Sequence, residues 1–247
     1  MMKIDILTLF PDMCNAFINE SIIGRAVKAE KVSINCHNIR DYTKDKHNRV
    51  DDAPYGGGMG MIMSAQPIYD CYKSLYGDEE NKPYVIYMSP KGNTFNQAKA
   101  CELSSKHHIV LLCGHYEGVD QRIIEKIVDE EISIGDYVLT GGEMPALVVA
   151  DAVTRLLPGV LSDDICFEDE SHYAGLLEYP QYTRPAIWED MEVPQVLLSG
   201  HHANIVKWRR EKSIETTFNK RQDMLKNADL TEKEKQFVKL LENNVKK

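Results

Sequence analysis

The sequence lacks paired cysteines, long apolar runs and the common nucleotide-binding signatures, and each absence narrows what it can be. Its six cysteines, Cys14, Cys36, Cys71, Cys101, Cys113 and Cys166, are scattered without a C-x-x-C pair, which argues against zinc-ribbon and thioredoxin-like chemistry. Most fall in apolar patterns and read as small core residues of a reduced protein. No stretch approaches the roughly 20 apolar residues needed to span a bilayer. The opening Met-Met-Lys-Ile-Asp-Ile-Leu-Thr-Leu-Phe is interrupted by Asp5 and has no signal-peptide h-region or cleavage site. A soluble, cytoplasmic protein is expected. Neither G-x-G-x-x-G nor G-x-x-x-x-G-K-[ST] occurs, so dinucleotide and P-loop readings lose their main support. H-E-x-x-H and G-x-S-x-G are missing too, which makes a metalloprotease or an α/β-hydrolase improbable.

What is present is an ordinary globular composition, 247 residues with 43% apolar and 27% charged side chains, enough for one large domain or a medium domain with a small appendage. The net charge of −9 is unevenly placed. Residues 201–247 carry 12 Lys and Arg against 7 Asp and Glu, a net of +5, leaving −14 for residues 1–200. A basic tail on an acidic body fits a local nucleic-acid contact and fits solvated helix faces equally well.

Periodicity alternates between strand and helix. Strands are expected at Ile4–Leu7, Val32–Cys36, Tyr84–Met88, Ile109–Cys113 and Glu131–Ile134. Helices are expected from Pro11 to Phe17, from Ser21, and over Gln66–Tyr76, Asn96–Leu103, Val119–Val128 and Glu143–Leu157. That alternation predicts an α/β domain with a parallel sheet. The helix from Glu143 is apolar nearly all round and should be buried. Gly77–Glu80 reads as a surface turn, and Arg40–Gly60 as a long polar loop of the kind that is functional or disordered. After Pro158-Gly159 the pattern breaks. Residues 161–185 have no clear period, and helices follow over Ala203–Phe218 and from Thr231, whose spacing to Glu234 fits a capping box.

Three loops close successive apolar strands: Tyr87-Met88-Ser89-Pro90, Gly114-His115-Tyr116-Glu117-Gly118, and Ser133 to Pro145 with Gly135 and Gly141-Gly142. In an open α/β sheet, ligands sit beyond the carboxyl ends of the strands. Glycines, backbone amides and tyrosines there suit a flat heteroaromatic ligand such as adenine better than a metal, although each loop could be merely a tight connection. The polar loop interleaves Arg40, Lys44, Lys46, His47 and Arg49 with Tyr42 and Tyr55, which is either phosphate pairing with base stacking or a mobile surface loop. Arg155 lies one helical turn from Asp151 and reads either as an i,i+4 partner or as a cation beside a cofactor pocket. Asp163, Asp164, Glu168, Asp169 and Glu170 form an acidic run, a solvated one by default and a source of a general base on the sharper reading.

The motifs Asp51-Asp52-x-Pro-Tyr-Gly-Gly-Gly-x-Gly-Met, Tyr87-x-Ser-Pro, Cys113-Gly-x-Tyr-Glu-Gly, Ser133-Ile-Gly-Asp-Tyr-Val-Leu-x-Gly-Gly-Glu-x-Pro-Ala, Tyr182-Thr-Arg-Pro and Met191-Glu-Val-Pro-x-Val-Leu-Leu-Ser-Gly-His-His occur in one order. Over essentially the whole chain they resemble the bacterial tRNA (guanine-37-N1)-methyltransferases of the SPOUT class. The resemblance implies a parallel α/β domain with a deep trefoil knot, an exception to the rule that chains do not knot, followed by a small all-α domain. It divides the chain into a knotted domain at 1–160, a linker at 161–175 and a helical tRNA-binding domain at 176–247. It also implies S-adenosylmethionine as cofactor, tRNA as substrate and a homodimer whose active sites draw on both chains. Mg²⁺ would be expected from the family, but no ligand cluster is visible to hold it.

Carried onto this sequence, the cofactor residues implied are Tyr87, Met88, Ser89, Pro90, Gly114, Glu117, Ile134, Gly135, Asp136, Tyr137, Val138, Leu139, Gly141, Gly142 and Pro145. Arg155 matches the catalytic arginine. The family's general base is usually an Asp followed by Ser, and Glu170-Ser171 aligns with it here, so Glu170 is assigned as base with Asp169 as the alternate. His115 stands where many relatives carry Arg. Arg40, Lys46, Arg49, His115, Lys207, Arg209 and Arg210 are the RNA-binding candidates. Two rivals stay open at this point: a knotted methyltransferase of ribosomal RNA or ribose 2′-OH, and a catalytically silent RNA-binding module.

Overall fold

The computed structural model describes residues 1–77, 82–161, 170–173 and 175–245. Most of the turn expected at 77–80, most of the linker, Cys166 and Asp169 fall outside the described residues. The chain divides into two compact units, Met1–Asp164 and Ile165–Lys247.

The first unit begins with β1 (Met2–Thr8), α1 (Pro11–Ile18), α2 (Ser21–Lys28) and β2 (Val32–Asn38). A short 3₁₀ turn (Ile39–Tyr42), β3 (Asp51–Asp52), β4 (Ile62–Met63) and α3 (Ala65–Tyr76) follow. Then come β5 (Tyr84–Thr94), α4 (Gln97–Ser104), β6 (His108–Cys113), α5 (Gln121–Ile127), β7 (Glu130–Ser133) and α6 (Glu143–Thr154). The strands β2-β1-β6-β5-β7 make one five-stranded sheet, in that order, and every pairing in it is parallel. Successive strand residues point to opposite faces, and this builds two cores. Ile4, Ile6, Ile86, Ile109 and Leu111 pack with residues of α1, α2, α4 and α6 on one face. Leu7, Val85, Tyr87, Val110 and Leu112 pack with α3 and α5 on the other.

Four expectations need correction. The strand from Tyr84 does not close at Ser89-Pro90-Lys91-Gly92 but runs on to Thr94, with a register shift against β7 between Met88 and Asn93. Proline and glycine here mark a bulge inside a strand, which local turn chemistry cannot distinguish from a loop. The polar loop is not wholly without elements, because β3 and β4 pair antiparallel across it. α6 stops at Thr154 rather than Leu157, and Met144 and Val148 on it are 50% and 42% exposed, so the helix is not buried all round. Ile22, expected on the apolar stripe of α2, is also exposed.

The second unit holds β8 (Ile187–Trp188), β9 (Met191–Glu192), α7 (Gln195–Leu198), α8 (His202–Lys220), α9 (Gln222–Leu225) and α10 (Glu232–Val245). It is therefore not all-α: β8 and β9 form a small hairpin, turned by Glu189 and Asp190 with φ of 47° and 62°. α10 opens as the spacing predicted. The backbone amides of Thr231 and Glu234 donate reciprocally to the Glu234 carboxylate (2.7 Å) and the Thr231 hydroxyl (3.3 Å). No helix among the described residues is long and apolar enough to cross a membrane.

Candidate active site

The bulged middle of β5 and the carboxyl ends of β6 and β7 open on a cavity of about 260 Å³ in the first unit. Residues 87–91, 114–119, 131–135 and 137–142 line it, with Gln121, Ile124 and Pro145. Of the cofactor residues implied by resemblance, all but Asp136 are on that wall.

Backbone crowding explains the glycines at its floor. A Cβ on Gly142 would lie 2.8 Å from the Cys113 Cα and 2.9 Å from the Gly114 nitrogen, and one on Gly114 would lie 2.8 Å from the Tyr87 hydroxyl. The Gly142 amide donates to the Gly114 carbonyl at 2.8 Å, and His115 bridges Gly141 as an isolated antiparallel pair. The ends of β6 and of the 135–142 loop are thus held in backbone contact, which any side chain would separate. A second seam joins the cavity rim to β4, where the Glu117 amide donates to the Met61 carbonyl (3.0 Å) and the Met63 amide to the Gly118 carbonyl (2.9 Å).

Side chains complete the wall. Burial first, and Glu131 second, push the Tyr87 phenol up, against a hydrogen bond from the Val119 backbone amide, so it stays a neutral hydroxyl at neutral pH. His115 is half-buried, its ring 5.0 Å from Phe10 and 4.8 Å from Tyr116. Its Nδ1 is buried without a hydrogen-bond partner among the described residues. This donor set is backbone amide, hydroxyl, tyrosine ring and carboxylate. It fits an adenosine-bearing ligand, and no group of three His, Cys, Asp or Glu able to hold a metal occurs among the described residues.

The remaining candidates are dispersed. Arg155 caps the carboxyl end of α6 in the first unit, while Glu170 belongs to the second. Asp169 lies outside the described residues. Arg49 is forked onto Asp45, with Nη2 at 2.9 Å and Nε at 3.3 Å. Lys46 is exposed and Arg40 half-buried in the 3₁₀ turn. In the second unit Arg210 pairs with Glu234 at 2.7 Å, Lys207 lies 3.7 Å from Glu211, and the Arg209 guanidinium sits 4.8 Å over the Tyr179 ring. Sequence reasoning missed the buried Thr8–Glu143 hydrogen bond of 2.8 Å behind the cavity. The only sequence signal for it was a carboxylate at the start of an otherwise apolar helix.

A parallel α/β sheet with a ligand cleft beyond its strand carboxyl ends places the first unit among small-molecule-binding α/β proteins. Residues 2–227 match the model of the tRNA (Guanine-1)-methyltransferase TrmD family, and the chain belongs to that family. It is 61% identical over 223 residues to a tRNA (guanine-N(1)-)-methyltransferase of Ruminiclostridium cellulolyticum, covering 90% of this chain and 96% of the relative. Proteins of the same name from Alkaliphilus metalliredigens and Clostridium botulinum strain Hall are 55% and 57% identical, each over 96% of this chain, and are covered over 97% and 98% of their own lengths.

Proposed function

We propose that this chain methylates N1 of guanine 37 of tRNA, next to the anticodon, with S-adenosylmethionine as donor. The carrying observation is the cleft whose glycine floor leaves room only for backbone, in a chain of the tRNA (guanine-1)-methyltransferase family. When bound, the cofactor supplies an electrophilic methyl group on a sulfonium. Tyr87 to Pro90, Gly114, Glu117, Ile134 to Leu139, Gly141, Gly142 and Pro145 would hold it.

The protein's own part is proton and charge management. Guanine N1 carries a proton and is a poor nucleophile, so Glu170, or Asp169 as the alternate, removes it during transfer. Negative charge then grows toward O6, where the Arg155 guanidinium stabilises it. The 1–160 segment acts as the cofactor domain and 176–247 as the tRNA-binding domain, with Arg40, Lys46, Arg49, His115, Lys207, Arg209 and Arg210 as RNA contacts. We infer also that the glycine-rich strand ends of the 1–160 domain belong to a deep trefoil knot. Support comes from the family resemblance and from backbones in contact at Gly142 and at Gly92, whose Cβ would lie 2.3 Å from the Glu131 carbonyl carbon. Mg²⁺ is a family expectation without an assigned site.

A homodimer with shared sites completes the reading. α1 and α6 are neighbours, and Phe10, Met13, Phe17, Met144 and Val148, on or beside them, are 40–50% exposed. Large apolar side chains left in solvent on adjoining helices favour a protein partner. The test is methyl transfer from labelled S-adenosylmethionine to unmodified tRNA, with the product nucleoside identified. N1-methylguanosine at position 37 is expected, and ribose methylation or no transfer would refute the assignment. Glu170→Gln should abolish turnover and retain cofactor binding; if Asp169→Asn is the dead variant instead, the base is Asp169. Mixing Arg155→Ala with Glu170→Gln subunits should restore partial activity, and no recovery would count against sites shared between chains.

A further inference from the structure

One buried charge at the cavity has no part in that mechanism. Glu143 is only 4% exposed, yet it opens α6 and stands directly behind the cavity floor. Three features hold it there. Thr8, at the carboxyl end of β1, donates its hydroxyl to Oε1 at 2.8 Å and accepts the Phe10 amide at 2.9 Å, so the anchor is itself fixed. The amino end of the 12-residue α6 favours a carboxylate in its first turn. Gly141, which lines the cavity, leaves the carboxylate its place: a Cβ there would lie 2.4 Å from Oε2 and 2.8 Å from the buried, unpartnered Nδ1 of His115. A carboxylate oxygen therefore sits one glycine from the ligand space.

We propose that Glu143 is a specificity-determining residue of the methyl-donor pocket, whose buried carboxylate, fixed by Thr8 behind Gly141, favours the cationic sulfonium donor over its neutral thioether product. The inference rests on the reading of the cavity as the donor site. Its chemistry follows from the two ligands. S-adenosylmethionine and S-adenosylhomocysteine share adenosine and the amino acid end, and differ by one methyl group and one positive charge. Contacts to adenine or ribose cannot separate them, whereas a fixed negative charge in a low-dielectric wall can. Glu117 and Glu131 also line the cavity, but Glu117 is exposed and Glu131 half-buried, so water and salt screen them more strongly. The Glu143 charge does reach the floor: after burial, it is the next cause holding the Cys113 thiol well above its usual range, and Cys113 immediately precedes Gly114.

Binding of both ligands by calorimetry tests this without turnover. Glu143→Gln keeps the size and an acceptor for Thr8 but removes the charge. It should weaken S-adenosylmethionine roughly five- to tenfold, the scale of a charge term at an effective protein dielectric, and S-adenosylhomocysteine less than about twofold. Glu143→Asp, which keeps the charge, should shift that ratio less. Equal weakening of both ligands, or of neither, would overturn the proposal, since lost packing acts on both alike. Should Glu143→Gln not fold, the wild-type protein still decides. The ratio of the two dissociation constants should hold as salt rises from about 0.05 to 0.5 M, because a buried charge is poorly screened. A ratio that moves steadily toward the product would transfer the effect to exposed Glu117 and refute Glu143. Wild-type protein that binds neither ligand would instead sink the reading of the cavity.

Discussion

Replacing Asp5 with alanine should cost the first unit about 3–5 kcal/mol, because it takes a buried carboxylate away from four hydrogen-bond donors. Asp5 sits in β1 at 6% exposure and gathers four donors. Asn35 Nδ2 at 3.1 Å and His37 Nε2 at 3.0 Å approach from β2, Tyr76 Oη at 2.8 Å from α3, and His108 Nε2 at 2.7 Å from β6. Alanine would leave all four without their acceptor. Tyr76, 3% exposed, cannot recover water, but His37 and His108 keep side-chain exposures of 21% and 16% and can, which holds the estimate below the sum of four hydrogen bonds to a charged group of about 1.5–3 kcal/mol each. At about 2–4 °C per kcal/mol for a unit of this size, melting should fall by roughly 6–20 °C, read by calorimetry at pH 7. Acidity supplies a second reading. Burial opposes ionisation of Asp5, but hydrogen bonds from His37, Tyr76, His108 and Asn35 outweigh it and hold the carboxyl well below the usual carboxylate range. A depressed folded pKa contributes stability above the ordinary value near about 4, and that contribution fades as pH falls below it. The gap between wild type and Asp5→Ala should therefore narrow below about pH 4. A loss under about 3 °C at pH 7, or a gap unchanged in acid, would refute the reasoning.

Four further outcomes are expected. Gly142→Ala would drive a methyl into the Cys113 and Gly114 backbone at 2.8–2.9 Å, part the strand ends and weaken S-adenosylmethionine binding by tenfold or more, about 1.4 kcal/mol, measured by calorimetry. Thr231→Ala removes half of a capping box and should destabilise α10 by about 1 kcal/mol, visible as earlier helix loss in a urea series. Arg210 first, with Thr231 adding to it, holds the Glu234 carboxyl at about 2 against burial, which raises it, so the stability Glu234 lends to α8 and α10 should be present above about pH 4.5 and lost toward 2. Met13→Asp with Phe17→Asp places charge among exposed apolar side chains of α1 and should shift a dimer to monomer in sedimentation equilibrium; an unchanged mass would remove α1 from the interface.

The strands and most helices could be read from the sequence because hydrophobic periodicity is a local property. Alternation through Ile4, Ile6 and Ile34 and the stripe of α3 each record which face is covered. Thr231 and Glu234 marked a helix start for the same reason, since both partners of a capping box lie within one turn. Failures came where distant segments decide. Ser89-Pro90-Lys91-Gly92 reads as a turn, and only β7 alongside makes it part of a strand. α6 looks buried all round from its composition, and tertiary packing leaves Met144 and Val148 in solvent.

The same division runs through the site. Glycine-marked strand ends and their tyrosines were legible, because close backbone approach demands glycine wherever the chain later folds. Asp5, by contrast, stood out only as a polar interruption of an apolar run. Its two histidines lie 32 and 103 residues away, and parallel pairing of β1 with β2 and β6 brings them to one carboxylate. Glu143 is the sharper case. By itself the sequence placed a carboxylate at the head of an apolar helix; only the crossing of β1 beneath α6 supplied Thr8, 135 residues away, and set the charge behind Gly141. Local chemistry is written in neighbouring residues, but burial and electrostatic reach belong to the folded neighbourhood that long-range strand order creates.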